Sequence, residues 1–470
     1  MEKIELTNKK RMLIFVNVVI SCIACSMLAT ALSTALPPII RDLNISVTTG
    51  QWLTSGYSLM MAITMPLTAF LVNRFPTKRL YCTAIIIFIV GLIVCAFSIN
   101  FPTMMAGRLL QAAGNGMLTS MAQVITLTIF PIEKRGTAMG WYGMSVGAAP
   151  IIAPTIAGIM VDLVGWRMIF IASLVIMAIS LIYALIVFEN VLDNVKKKFD
   201  VISFVMSAFA FGGITLGIGN IGNYSLLNIQ VILPLILGII GSILFVYRQM
   251  HMDEPFLELR TLSNKEYAVS VIGSMLLYFI MMGSSIVLPL YAQQTLGLSA
   301  TTSALMMLPG SALSAVISPY AGKIYDKIGI RSLFISGAVG LTISNALMVF
   351  INVNMSVWVA AVINVVRNGS ITCLMMPLVT WGASTVKKEM TAHATALLTS
   401  LRTIAGAIGS AVFVAIMTVV AENSVETYGQ NSSMHGVNMT FLAMTVTGVF
   451  LILLGIFGTR SRKISNENRK

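Results

Sequence analysis

Long apolar runs separated by short polar turns dominate the chain. Runs of about 20 apolar residues, each bounded by charges or turn formers, lie near residues 12–36, 50–72, 80–99, 103–129, 137–160 and 166–188. Two more follow near 201–220 and 228–248, and six near 268–292, 301–322, 332–351, 356–382, 394–420 and 438–459. At about 1.5 Å of rise per residue, each run crosses a hydrocarbon core of about 30 Å as a helix. The pattern predicts an all-α polytopic membrane protein of fourteen transmembrane helices. Residues 1–190 are expected to form an N-terminal six-helix bundle. Residues 191–265 would be a two-helix insertion with cytoplasmic flanking loops, and residues 266–470 a C-terminal six-helix bundle and cytoplasmic tail.

The polar positions give this topology a direction. With the N-terminus inside, every Lys and Arg falls in a cytoplasmic segment except Arg41 and Arg167, which fall outside, and Arg108, Arg367 and Arg402, which fall within spans. That asymmetry follows the positive-inside rule and places both termini in the cytoplasm, in a multi-pass protein expected in a bacterial plasma membrane. The net charge of +13 thus reports topology and contact with anionic membrane lipids, with no nucleic-acid partner implied. Composition agrees: 57% hydrophobic and 10% charged residues, with a mean hydropathy of +0.89, exclude a soluble core of this length. The opening "MEKIELTNKKRMLIF" lacks a small-residue cleavage site and leads into a full-length span, which reads as an uncleaved first helix. Cys22, Cys25, Cys82, Cys95 and Cys373 all lie in spans and read as small buried residues.

An internal repeat relates the two six-span sets. "AFLVNRFPTKRLY" follows the second span and "AGKIYDKIGIRSLF" the tenth; "GRLLQAAGNG" in the fourth span has the counterpart "NVVRNGSITC" in the twelfth. Two repeats around a shared midplane imply an alternating-access transporter. No GxxxxGK[ST] loop provides for ATP and no HExxH or paired CxxC provides for a metal, so neither an enzyme activity nor a cofactor is expected.

These segments resemble the major facilitator superfamily. "AGKIYDKIGIR" is similar to its loop signature G-x-x-x-D-[RK]-x-G-x-[RK], and "GRLLQAAGNG" to its fourth-span motif R-x-x-Q-G-x-G, with an alanine at the first glycine. "GAAPIIAPTIAG" is similar to the fifth-span antiporter motif, with Ala149 where a glycine is usual. "VGWRMIF", "YAQQTLGLS" and "LRTIAGAIGSAV" resemble signatures of its fourteen-helix drug:proton antiporter branch. The resemblance implies a multidrug exporter that rocks two bundles about a midplane site, driven by protons.

Candidate residues follow from chemistry and from the resemblance. Asp326 is expected to cap or approach the N-terminus of the following helix and to pair with Lys327 or Arg331, as a conformational latch. The first-half copy has Asn73 and Arg74, with Pro76 in place of the glycine, and so lacks that ion pair. Gly143, Gly147, Pro150 and Pro154 make the fifth span a candidate hinge or a kinked packing helix. Polar or aromatic groups in otherwise apolar helices sketch a broad pocket: Gln51, Trp52, Tyr57, Asn115, Gln123, Tyr142, Tyr291, Gln293 and Trp381. Thirty-two methionines suit loosely specified lipophilic ligands.

None of the 17 acidic residues lies in the middle of a span. Relatives carry an aspartate in the first span; here "MLATALSTALP" has Leu28 at that position and Ser33 at the asparagine. A preference for lipophilic cations therefore does not carry over, and Arg108, Arg367 and Arg402 become candidate counter-charges for neutral or anionic substrates. Arginine does not titrate in the physiological range, which leaves His393, with Glu133, as candidate proton carriers or as solvated loop residues. Arg108 is either a charge that responds to substrate or protons, or a guanidinium satisfied by Gln111 and backbone carbonyls. The expected function is export of lipophilic small molecules by a functional monomer, with protons as coupling ion. An exporter of an anionic or amphipathic metabolite or lipid without proton coupling, and a non-transporting sensor, are the alternatives.

Overall fold

The computed structural model describes residues 7–45, 47–192, 200–220, 228–252, 255, 257–298, 300–387 and 390–459. The first set holds α1 (Asn8–Asp42), α2 (Val47–Arg74), α3 (Thr77–Ala96), α4 (Phe101–Ile129), α5 (Arg135–Val164) and α6 (Arg167–Val187). A helical pair follows: α7 (Val201–Ser207) continues through a π-helical turn, Ala208–Gly212, into α8 (Gly213–Asn220), and packs against α9 (Ile229–His251). The second set begins with α10 (Lys265–Leu290), extended by the π-helical turn Tyr291–Thr295, then α11 (Ala300–Ile328), α12 (Ile330–Met348) and α13 (Val357–Ser384). It ends with α14 (Thr391–Asn423), the short α15 (Val425–Tyr428) and α16 (Ser432–Gly458).

Helix starts carry their own signals. Asn100 accepts from the Thr103 amide, Asp200 from Ile202 and Ser203, and Asn264 from Glu266 and Tyr267, so side chains satisfy amides that the first turn leaves open. Gly329, at φ 78°, makes the sharp junction between α11 and α12 that a side chain would strain.

Among the described residues, twelve helices are long and apolar enough to cross a membrane. α4 and α5, at 29 and 30 residues, match them in length but are not in that group. α4 buries Arg108, Gln111, Asn115 and Gln123 within the bundle, so apolarity alone understates it. The fourteen spans expected from the sequence are thus twelve by length and composition.

Exposed apolar side chains such as Ile182 and Ile186 on α6, Ile239 and Ile243 on α9, and Val362 and Val366 on α13 clothe the outside. Lipid is as apolar as leucine, so close approach of backbones is what binds such helices to one another. A Cβ on Gly107 would sit 2.6 Å from Cys95 Sγ and one on Gly114 2.8 Å from Phe88 Cβ, which explains the glycines of the fourth-span motif as the contact with α3. A continuous buried core of the first set reaches into the second through Met376 and Val379 of α13 and Ala394 and Leu398 of α14; a separate core fills the second set.

Charges fasten the helix ends. On the side of the basic loops, Lys10 pairs with Glu189. On the opposite side Asp42 accepts from Trp166 Nε1 at 2.7 Å and pairs with Arg167 at 3.4 Å. Asp200 joins α7 to α9 through Arg248 at 3.1 Å.

Candidate functional site

Arg108 is 1% exposed and, among the described residues, has no carboxylate partner. Its Nε donates to the Leu53 carbonyl at 3.2 Å and its Nη1 to Gln111 Oε1 at 2.7 Å, while the guanidinium lies 4.1 Å from the centre of the Tyr57 ring. Gln111 in turn donates to the Gly91 carbonyl at 3.1 Å. The network continues through Tyr57, whose hydroxyl accepts from Asn115 Nδ2 at 2.7 Å, and Thr119 donates to Asn115 Oδ1 at 3.0 Å. α2, α3 and α4 are thereby tied together by neutral acceptors and one aromatic face, the arrangement expected of a structural guanidinium. Tyr57 and Asn115, expected in the pocket, are engaged in this network.

Its counterpart Arg367 on α13 is 3% exposed and donates from Nη2 to Asn364 Oδ1 at 2.7 Å. Both buried arginines thus use an amide three residues away on their own helix, a spacing that brings side chains onto one helix face.

Asp326 corrects the expected latch. Among the described residues it pairs with neither Lys327 nor Arg331. Its carboxylate instead accepts from the Gly136 amide at 2.8 Å, the Thr137 amide at 2.7 Å and the Thr137 hydroxyl at 2.6 Å. It therefore caps α5, in the first set, and leaves α12, the helix that follows it, alone. The free amides of the first turn and the positive end of the helix dipole make α5 the stronger attractor. Close packing makes the reach possible: a Cβ on Gly140 would lie 2.5 Å from the Ser318 carbonyl, and one on Gly322 would collide with the Gly136 carbonyl. Ser318 adds a bond to the Gly140 carbonyl at 2.7 Å.

The first-half copy docks in the related way. Asn73, at the end of α2, meets His393 Nε2 at 2.9 Å in the first turn of α14. His393 is 3% exposed, so it is a buried interface residue and not a solvated loop residue; the expectation failed because the contact joins residues 320 apart. Arg74 is exposed and lies over its neighbour Phe75 at 5.9 Å, with no ion pair among the described residues. Arg331 is half-buried.

Deeper in the same interface, Thr399 of α14 donates to Gln123 of α4 at 3.2 Å. Tyr142 of α5 interacts with Gln123 and Cys22 and lies in the electrostatic field of Arg402. Arg402, 4% exposed, stacks over Tyr278 of α10 at 4.6 Å, and its Nε and Nη1 have no hydrogen-bond acceptor among the described residues. Five helices from both sets, α1, α4, α5, α10 and α14, converge here. The sequence lists Arg402 among three cations without ranking it, and Tyr278 and Thr399 were not singled out at all, because an aromatic or a threonine in a span carries no signal until its neighbour is known.

The other expected pocket residues scatter. Trp52 is 39% exposed at the outer end of α2, and the Gln51 side chain lies outside the described residues. Tyr291 is buried and Gln293 exposed in the turn that ends α10, and Trp381 packs on the second core. A Cβ on Gly143 would press on Met376 and Ser318, whereas one on Gly147 would meet none of the described residues within 4 Å; the Pro150 and Pro154 side chains lie outside the described residues. Leu28, where relatives carry the acid, lines a cavity of about 190 Å³ with alanines, isoleucines and methionines of α1, α5 and α6. Ser173 supplies one hydroxyl there, and among the described lining residues none is charged.

A sequence profile of the Major Facilitator Superfamily matches residues 18–410. The chain belongs to that superfamily. Among curated relatives, an uncharacterized MFS-type transporter YcnB of Bacillus subtilis (strain 168) is 35% identical over 425 residues, 90% of either chain. The lincomycin resistance protein LmrB of the same organism is 35% identical over 392 residues, 83% of this chain and 81% of the relative. The multidrug export protein EmrB of Haemophilus influenzae is 26% identical across 81% of this chain and 76% of its own. Among solved structures, the human organic anion transporter MFSD10 (TETRAN) superposes with a TM-score of 0.65 at 13% identity, covering 96% of this chain and 100% of that one, a likeness of fold alone. The protein is thus a multi-pass membrane transporter of the superfamily's drug-exporter relatives, and not an enzyme.

Proposed function

We propose that the protein exports lipophilic or amphipathic small molecules across the bacterial cell membrane by alternating access, as a functional monomer of fourteen spans. In this reading residues 1–190 and 266–470 are the two rocking bundles, residues 191–265 the two-helix insertion, and the basic loops and both termini face the cytoplasm. The observation that carries it is the placement of the inter-set bonds. Asp326 on α5, Asn73 with His393, Ser318 on Gly140 and Thr399 on Gln123 all lie between the basic-loop ends of the helices and the polar cluster. Such a set of contacts suits a transporter closed on the cytoplasmic side and able to reopen there as those bonds exchange. The relatives' names, lincomycin resistance and multidrug export, support drugs as cargo.

Proton antiport is the proposed driving force, by family resemblance. A second reading, export of anions without proton coupling, is favoured by the absence of any acid in the middle of a span. Net-charge variants of one substrate scaffold, assayed in inverted vesicles with and without an imposed pH gradient, separate the two. Gradient-dependent uptake of neutral and charged variants supports antiport. Gradient-independent uptake restricted to anions overturns it in favour of the second reading.

A further inference from the structure

The three buried span arginines differ in how far the protein itself occupies them. Arg108 spends Nε and Nη1 on Leu53 and Gln111 and its face on Tyr57, so those donors reach a ligand only if the packing of α2 on α4 is broken. Arg367 also leaves Nε and Nη1 without an acceptor among the described residues, but its Nη2 has an amide partner on its own helix and it sits inside the second set, away from the junction, beside Gly310 of α11 through its neighbours Asn364 and Asn368. Arg402 has neither arrangement. Tyr278 covers one face of its guanidinium at 4.6 Å and leaves the N–H edge, where Nε and Nη1 have no acceptor among the described residues.

Its position adds the second line of argument. Arg402 lies one turn beyond Thr399, the residue that reaches across to Gln123, and its charge is felt at Tyr142 of the first set. Any group bound to its free edge is therefore bound at the junction of the two sets. Electrostatics supplies the third. No aspartate or glutamate occupies the middle of any span, and among the described residues no carboxylate pairs with this cation, which is 4% exposed. A buried guanidinium is stabilised by a carboxylate that accepts from two of its parallel N–H groups, a geometry that an ammonium does not offer.

We infer that Arg402 is the recognition point for one negative charge on the transported molecule, an amphipathic organic anion whose carboxylate or sulfonate takes the Nε and Nη1 edge. The apolar body of such a molecule finds Met282, against Gly406 one turn further along α14, and Met376, against Gly143; thioether side chains adapt to ligands of varied shape. The inference rests on the transport reading and names its substrate class.

The test uses two naphthyl probes of the same shape, 2-naphthoate and 2-naphthamide. Their binding to the full-length protein in nanodiscs is measured by equilibrium dialysis, with protein-free nanodiscs subtracted. The wild type binds the carboxylate about tenfold or more tightly than the amide, the size expected of a charge-assisted pair out of water. Arg402→Gln abolishes that preference and leaves amide binding within about twofold; Arg402→Lys, which keeps charge and loses the fork, retains part of it. Thermal unfolding of each variant confirms that it is folded, and the lysine variant carries the test if the glutamine variant is not. Equal affinity for the two probes in the wild type, no binding of the carboxylate by folded protein, or a full preference surviving in both variants overturns the inference. Counterflow of both probes in proteoliposomes separates it from the transport reading. Flux with no carboxylate preference removes the anion site and keeps the transporter, whereas a carboxylate preference without flux keeps the site and removes the transporter.

Discussion

Asn73 and His393 lie 2.9 Å apart, joining the end of α2 to the first turn of α14. Asp326 joins the end of α11 to the first turn of α5 in the same sense. In the two repeats α2 corresponds to α11 and α5 to α14, so each loop motif docks on the fifth helix of the opposite set. One copy does so with a carboxylate on backbone amides, the other with an amide on an imidazole. When the ring carries its proton on Nδ1, Asn73 Nδ2 donates to Nε2.

If those two side chains act as one contact, Asn73→Ala and His393→Ala each loosen the basic-loop side and the double variant loosens it little further. A cysteine at Ser400, buried below the contact, reports this through its rate of labelling by a membrane-impermeant thiol reagent from that side, in a background without the five native cysteines. Labelling accelerates in each single variant and to a similar extent in the double. Independent, multiplying accelerations would show that the pair is not coupled.

Gly322 leaves no room for a side chain against the Gly136 carbonyl. Gly322→Leu therefore prevents the close approach of α11 to α5 and holds the basic-loop side open, as overpacking at a backbone contact forces the helices to separate. The same labelling assay shows faster modification at Ser400, with transport reduced at least tenfold. Unchanged labelling would mean that the two helices do not need this approach.

Arg108 is expected to matter for stability before it matters for transport. Arg108→Ala leaves Gln111 Oε1 without its donor, at about 1–3 kcal/mol, and removes the second hydrogen bond to the Leu53 carbonyl, which α2 itself also engages. Arg108→Lys restores the charge but cannot serve both acceptors with a planar fork. Thermal unfolding in nanodiscs falls in the order wild type, lysine, alanine. An alanine variant as stable as wild type yet unable to transport would make Arg108 a working charge instead.

Outside the spans, Asp200 gives a pH signature. Burial works against its ionisation, but hydrogen bonds from the Ser203 hydroxyl and amide and from Arg248 outweigh that and hold its carboxyl below the usual carboxylate range. The folded protein therefore holds this proton less tightly than the unfolded chain. The stability it contributes is full above about pH 4 and is lost as pH falls through the lowered value. Thermal unfolding of the wild type drops more steeply below about pH 4 than that of Asp200→Asn; parallel curves would contradict the role of Asp200 in fastening α7 to α9.

Much of this was legible in the chain because apolar runs and charges obey strong rules in lipid. The helix ends fall within a few residues of the expected spans, and counting acids correctly led from Arg108 to Gln111 and a backbone carbonyl. What was not legible is what depends on distant pairs. Asp326 was expected to serve the helix that follows it, since local order is all that a loop motif displays; its target, 189 and 190 residues away, becomes visible only when α5 packs on α11. His393 had one available clue, its place in the α14 turn that corresponds to the α5 turn capped by Asp326. Arg402 could not be told from Arg108 and Arg367, because the partners that occupy Arg108 and the place of Arg402 beside the Thr399–Gln123 contact are properties of neighbours and not of sequence.

The central claim is that the two helix sets rock, held closed on the basic-loop side by the Asp326 cap. It is tested most directly by spin-label distances in a cysteine-free background. One pair replaces Lys134 and Lys327 on that side, and the other replaces Leu163 and Leu305, exposed toward the opposite ends of α5 and α11. In Asp326→Asn, which removes the charge from the cap, the first distance is predicted to lengthen and the second to shorten. Two distances that stay fixed, or that change in the same direction, would contradict it.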